Sequence, residues 1–152
     1  MKVEIFSLCD FASVDASGKQ NLIGVFDTIF AREAPIIYGL CALAVRIRFD
    51  RIEEGPKKVR ASFVDEDGNS VLPVMETQVR VQPAPQAPSA IAQVVLIMSQ
   101  IKLPNFGEYS IDLAVDGRHE ASIPLYVRKM QTPPPQAHDP IAKTSLGAGI
   151  AS

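Results

Sequence analysis

Apolar and polar side chains alternate with a period of two through most of this chain. Asp-Gly, Pro and Gly break the alternation at short intervals. The cleanest case is Tyr109-Ser-Ile-Asp-Leu-Ala-Val115, then Asp116-Gly117, then Ala121-Ser-Ile-Pro-Leu-Tyr-Val127. Period two sends successive side chains to opposite faces of a strand. Eight such runs predict strands over Lys2–Leu8, Asn21–Phe30, Leu40–Asp50, Lys57–Asp65, Val71–Val81, Ile91–Leu103, Gly107–Val115 and His119–Arg128. β-branched residues fill the runs, and turn formers fill the breaks. No window of about 11 residues carries a helical period. The stretch Ala31–Tyr38 has room for one turn of helix, which Pro35 limits.

Parity within the runs assigns faces. In the third run Cys41, Leu43, Val45, Ile47 and Phe49 share one face, and Ala42, Ala44, Arg46, Arg48 and Asp50 the other. In the fourth, Val59, Ala61 and Phe63 face inward while Lys58, Arg60 and Ser62 face outward. One dry face and one wet face mark an antiparallel sheet. Val94-Val-Leu-Ile-Met98 does not alternate, which predicts a strand covered on both faces or one that switches partners.

Directly paired residues share a face, so the inward set Tyr109, Ile111, Leu113, Val115 must meet Ala121, Ile123, Leu125, Val127. A two-residue loop at Asp116-Gly117 would set Leu113 against Glu120, so a three-residue loop with a positive-φ bulge is predicted. The same argument gives a three-residue loop over Glu66–Gly68. Pro124, which lacks an N–H, predicts an edge strand.

Together these features predict an all-β fold: a single antiparallel β-sandwich of seven to eight strands, immunoglobulin-like or C2-like. It occupies residues 1–129 of the 152. Residues 130–152 carry Pro133-Pro-Pro135 and then small, polar residues without an apolar face, which predicts a Pro-rich, flexible, disordered tail. The net charge of −2 and the scattered Lys and Arg give no basis for a nucleic-acid or anionic-membrane partner. No long apolar segment is present. The uncharged stretch Ala34–Val45 contains Pro35 and Gly39 and falls short of the about 20 residues a span requires. The start is broken by Glu4, Ser7 and Asp10, so no signal peptide is read and a cytoplasmic location is expected. Cys9 and Cys41 are expected to be two buried free thiols rather than a bridge.

Candidate chemistry is sparse. Asp65-Glu-Asp67-Gly-Asn69 places oxygen donors at the first, third and fifth positions of a loop, and Glu76 falls at the twelfth, where an EF-hand needs a bidentate carboxylate. Ser70 replaces the glycine that such a loop needs, and both flanks alternate as strands. Asp65, Asp67, Asn69 and Glu76 are therefore calcium candidates only if the loop folds back on itself. An acidic hairpin tip is the plainer expectation. No transition-metal ligand set or cofactor is expected, because His119 and His138 pair with neither cysteine at motif spacing. Nucleophilic catalysis has no Gly-x-Ser-x-Gly elbow to start from. Asp10 and Asp27 are the available carboxylate pair, with Asp27 expected to be a buried, hydrogen-bonded acid. Arg46, Arg48 and Arg60 could form a basic stripe that docks an acidic partner.

Several segments carry a resemblance to a known family. They are Leu8-Cys-Asp-Phe-Ala12, Gly18-Lys-Gln-Asn-Leu-Ile-Gly-Val-Phe-Asp-Thr-Ile29, Val64-Asp-Glu-Asp-Gly68, Phe106-Gly-Glu-Tyr109, Val115-Asp-Gly-Arg118 and Ala121-Ser-Ile-Pro-Leu-Tyr-Val-Arg128. As a set they resemble a family of small bacterial proteins known only as a domain of unknown function, over about residues 1–129. The resemblance implies a compact intracellular domain and brings no activity, cofactor or catalytic residue.

The expected function is a non-enzymatic binding or scaffolding module. It would act on another protein, or on a second copy as a homo-oligomer, through the sheet face bearing Arg46 and Arg48, the edge near Pro124, or the loops. The alternative is a metal- or small-ligand-binding domain that uses the acidic tip at 65–69.

Overall fold

The structure is a computed structural model and describes residues 1–131. The tail expected at 130–152 lies, from 132 onward, outside the described residues, as does His138. Nine strands form: β1 (Lys2–Val14), β2 (Gln20–Val25), β3 (Thr28–Ala31), β4 (Ile36–Asp50), β5 (Gly55–Val64), β6 (Met75–Val81), β7 (Ser89–Leu103), β8 (Gly107–Val115) and β9 (Arg118–Lys129). They make two sheets, a four-stranded one in the order β2-β1-β4-β7 and a five-stranded one in the order β3-β9-β8-β5-β6. The described residues contain no α-helix. The one helical turn is a 3-10 turn at Arg51–Glu53, not in the Ala31–Tyr38 stretch.

Two features depart from an all-antiparallel sandwich of seven or eight strands. The run Asn21–Phe30 is not one strand. It breaks at Phe26–Asp27, so β2 pairs with β1 in one sheet and β3 pairs with β9 in the other. The β3–β9 pairing is parallel. Asp27 acts as the hinge rather than as a buried acid. It is exposed, and its backbone carbonyl accepts the Tyr126 N–H at 2.7 Å.

Both sheets contribute to one apolar cluster, in which Leu43, Val45, Ile47 and Phe49 of the first sheet meet Phe63, Ile111, Leu113, Leu125 and Val127 of the second. Ile47, Phe63 and Leu113 are fully buried, as parity requires. A second, smaller cluster lies on the outer face of the first sheet, with Cys9, Ala12, Ala42 and Ala44 at its centre. The sheet curls over this face. The tip of the β1–β2 hairpin reaches β7 at the opposite edge, where the Gln93 amide donates to the Gly18 carbonyl at 2.7 Å. Small side chains at 42 and 44 leave room for that approach. Val95 of the non-alternating run is partly covered here, but Ile97 stays 66% exposed, so β7 is not covered on both faces along its length.

The thiols are free, with Cys9 in the small cluster and Cys41 in the large one. Neighbouring strands carry them on opposite faces. Burial pushes the Cys41 thiol up to about 11.

The turns follow local chemistry. At Asp15–Lys19 and at Asp65–Asn69 a three-residue loop closes with glycine at positive φ. In each, the aspartate Oδ1 accepts backbone N–H groups across the turn. The second is the loop expected over Glu66–Gly68. The β8–β9 turn differs from expectation. Asp116 and Gly117 both take positive φ and form a two-residue loop with Val115 opposite Arg118. The parity conflict is absorbed by a bulge between Leu113 and Ala114, after which Leu113 meets Ala121 and Ile111 meets Ile123. The face pairing is the one expected; the means of reaching it is different.

Tyr109 ties the start of β8 to the loop before it. Its buried hydroxyl donates to the Asn105 carbonyl at 2.7 Å and accepts the Asn105 N–H at 3.1 Å. Tyr109→Phe leaves both backbone groups without that partner and is expected to cost about 1–3 kcal/mol. Urea unfolding with an unchanged m-value is the check. A loss indistinguishable from zero would mean that water replaces the hydroxyl.

Candidate functional site

The crossing of the chain from β2 to β3 leaves a gap in each sheet. β2 pairs only with Cys9–Val14 of β1, so among the described residues Lys2–Ser7 have no strand on the side away from β4. β3 pairs only with Tyr126–Lys129 of β9, so Arg118–Leu125 have no strand on the side away from β8. These two half-edges face one another across an open seam between the sheets. Phe6, Ser7 and Leu8 line one wall, Ile123 and Pro124 the other, and Val25, Phe26 and Asp27 cross its end, around a cleft of about 350 Å³. Phe26 is fixed there by its N–H to the Leu8 carbonyl at 3.0 Å and by its ring against Tyr38, centroids 5.4 Å apart.

Pro124 was expected on an edge strand, and β9 as a whole is internal to its sheet. The edge exists over only half of β9. The Tyr126 N–H points to the β3 side, and backbone groups alternate along a strand. The N–H that Pro124 lacks would therefore point into the open seam, so no ladder bond is lost. By the same alternation Ser122 presents both its N–H and its carbonyl there.

A second groove of about 630 Å³ shares Ile123 and Pro124 with the cleft and runs over the outer face of β8 and β9, bounded by Asp65, Glu66, Glu108, Ser110 and Ser122. Glu66 holds this region in place, its Oε1 accepting the Glu108 N–H at 3.1 Å. The charged residues lining the cleft and the groove are Asp27, Asp65, Glu66 and Glu108, all acidic.

Sequence reasoning missed a polar row at the groove floor. The Asp112 Oδ1 accepts hydroxyls from Ser110 at 2.7 Å and Ser122 at 2.6 Å, and the Ser122 Oγ lies 2.7 Å from His119 Nε2. The signal was present, because Asp112 and Ser122 are directly paired once Leu113 meets Ala121. The Ser122 proton is committed to Asp112, so the network assigns the imidazole as donor to the serine rather than as its base.

The basic stripe does not form as one feature. Arg46 and Arg48 lie on β4 in the first sheet and both pair with the Glu4 carboxylate, Arg46 Nε at 3.0 Å from Oε2. Arg60 lies on β5 in the other sheet, opposite Glu76. The bulge between Val3 and Ile5 accounts for the pinning, since it sets Glu4 beside both guanidiniums. Those hydrogen bonds hold the Glu4 carboxyl below its ordinary 4.5, and turn hydrogen bonds do the same for Asp15 and Asp65 from 3.8. A carboxyl whose folded pKa is depressed stabilises the fold above its unfolded pKa, and that contribution is lost as pH falls through the folded value. Tm is therefore expected to fall as pH drops below about 4.5, and Glu4→Gln is expected to flatten part of that slope. An unchanged slope in Glu4→Gln would remove Glu4 from the account.

The calcium candidates do not converge: Asp65, Asp67 and Asn69 share the turn, and Glu76 lies apart. Asp65 spends its carboxylate on the turn, accepting the Asp67 and Asn69 N–H groups at 3.0 and 2.8 Å. Glu76 sits on β6 with Lys58 at 3.4 Å, held away from the tip by the strand. Among the described residues no group of three or more His, Cys, Asp or Glu is gathered to hold a metal. Asp10 and Asp27 are likewise engaged separately, Asp10 with the Tyr38 hydroxyl at 3.3 Å and Asp27 with the Thr28 hydroxyl at 2.7 Å. No helix among the described residues is long and apolar enough to cross a membrane.

The model of a family of unknown function (DUF6941) matches residues 4–128. No curated protein matches the chain in sequence. Among solved structures, the Pseudomonas fluorescens alkylpurine DNA glycosylase AlkC, bound to DNA containing an abasic site analog, is similar to 67% of this chain at 12% identity and a TM-score of 0.41. The match covers 28% of that glycosylase's length. Likeness of that degree carries no argument about function.

Proposed function

We propose that this chain, which belongs to that family of unknown function across residues 4–128, is a non-enzymatic binding module that takes an extended segment of another protein into the seam between β1 and β9. One observation carries the reading: two sheets each lack an edge partner at the same place, and an apolar cleft joins the two gaps. An added strand finds main-chain partners on β9 and pockets for alternate side chains beside Phe6, Leu8 and Ile123. Pro124 removes one donor from that edge and so discourages indiscriminate strand pairing.

We take the two sheets as halves of one sandwich, immunoglobulin-like in general form rather than C2-like. The shared cluster and the Tyr109 hydroxyl bonded to the backbone four residues upstream support that reading. The acidic groove disfavours a nucleic acid or an anionic membrane as partner. The alternative, a metal or small ligand at the 65–69 tip, is left with Asp67 and the Asn69 amide oxygen, because Asp65 and Glu76 are engaged elsewhere. A calcium titration at millimolar metal that raised Tm would revive it.

The test is capture of partners from the native host by the intact chain, by Ile123→Lys and by Ile97→Lys, which changes the outer face of the first sheet. Partners bound by the intact chain should be lost with Ile123→Lys, kept with Ile97→Lys, and should slow amide exchange over 119–125. Partners indifferent to Ile123→Lys would overturn the seam as the site.

A further inference from the structure

The seam has a chemical preference as well as a shape. The cleft offers Phe6, Leu8, Val25, Phe26 and Ile123, so the side chain that enters it is aliphatic or aromatic. Beyond Ile123 and Pro124 the wall becomes the acidic groove. Four carboxylates line the two together, against a net charge of only −2 for the whole chain. Among the described residues, the cation paired with one of them is Arg128, whose contact with Glu108 is long at 3.6 Å and solvent-exposed. Asp27, Glu66 and Glu108 are exposed and retain oxygens that no described group satisfies.

We propose that the seam recognises a segment in which an apolar side chain is followed directly by Lys or Arg: the apolar group enters the cleft and the cation crosses Pro124 into the acidic groove. This rests on the seam being the binding site. The spacing follows from strand geometry. Successive residues of an added strand advance about 3.3 Å and point to opposite faces, so the residue next to the one against Ile123 stands over the outer-face groove, and the one after it returns to the cleft side. Uniform negative charge along the wall repels segments rich in Asp and Glu, so selectivity comes from repulsion as much as from attraction.

The experiment is selection from a random dodecapeptide library displayed on phage, using the intact chain as bait and Ile123→Lys as counter-bait. Enriched peptides should carry an apolar residue followed by Lys or Arg and should lack acidic residues. Synthetic copies should bind less tightly by about tenfold between 0.05 M and 0.5 M salt, as screening shortens. The triple variant Asp27→Asn, Glu66→Gln and Glu108→Gln keeps the hydrogen-bond acceptors at those positions. It should lose the same factor at low salt and show little further salt dependence.

Peptides that depend on Ile123 but show no basic bias would overturn the preference and leave the seam reading intact. An absence of Ile123-dependent peptides would overturn both. Light scattering closes the remaining case. A concentration-dependent dimer that protects the 119–125 amides would mean that a second copy fills the seam, and the basic-segment assignment would fall.

Discussion

Phe63→Ala is expected to cost about 3–5 kcal/mol and to lower Tm by roughly 10–15 °C. Phe63 is fully buried near the C-terminal end of β5, directly paired with Ile111 of β8, and its ring faces the first sheet. The layer is closely packed with large side chains from both sheets, so truncation leaves a void that strands on both sides cannot close without breaking register. The check is urea unfolding followed by circular dichroism and fluorescence together, with coincident transitions and an unchanged m-value. A cost below about 1 kcal/mol would mean that the two sheets do not share a packed layer at this point.

The second large effect lies at Gly24. Its φ is +68, and a Cβ there would stand 2.3 Å from Asp10 Oδ2 and 2.9 Å from Asp10 Cγ. Gly24→Val combines left-handed backbone strain in a β-branched residue with displacement of Asp10 from the Tyr38 hydroxyl. It is expected to cost about 2–4 kcal/mol. The position matters because β2 leaves β1 immediately afterwards, and the Phe26 N–H to Leu8 carbonyl bond fixes where the chain crosses. Exchange at the Phe26 amide should therefore accelerate, and seam binding should weaken although no seam side chain has changed. Gly24→Ala combined with Asp10→Ala separates the causes. Relief of the clash should recover part of the loss and show as coupling between the two sites, while the φ strain should persist. Strict additivity would place the whole cost in the backbone.

The legibility of this fold tracked how local the deciding physics was. The inward faces of β4, β5 and β8 were readable because alternation is a property of a few consecutive residues, and Ile47, Phe63 and Leu113 lie where that period puts them. The Glu66–Gly68 loop was readable for the same reason. The division of Asn21–Phe30 was not, because nothing within Phe26-Asp27 distinguishes a bend from a continuing strand. The switch is paid for by bonds to Leu8 and Tyr126, far away in sequence. The Asp116–Gly117 turn failed differently. Parity correctly demanded one extra residue, but the bulge that supplies it sits in the ladder rather than in the loop.

The candidate site was legible only in fragments. Pro124 signalled an open edge, and the edge is there, but over half of β9 and because β3 starts late. Arg46 and Arg48 stood out as basic residues on a wet face, yet Glu4 takes up both. The acidic tip is legible as a hairpin turn, but not its place in the fold, the rim of a groove that Glu108, Ser110 and Ser122 complete.

The sequence by itself determined an all-β chain, the faces of its strands and the chemistry of its tight turns, since each depends on neighbours a few residues apart. Which strands pair, where β2 crosses to β3, how the first sheet curls over Ala42 and Ala44, and that two half-edges meet at one apolar seam were decided only by the tertiary structure. Those outcomes depend on contacts between segments distant along the chain, and no local pattern encodes which distant segment satisfies a given edge.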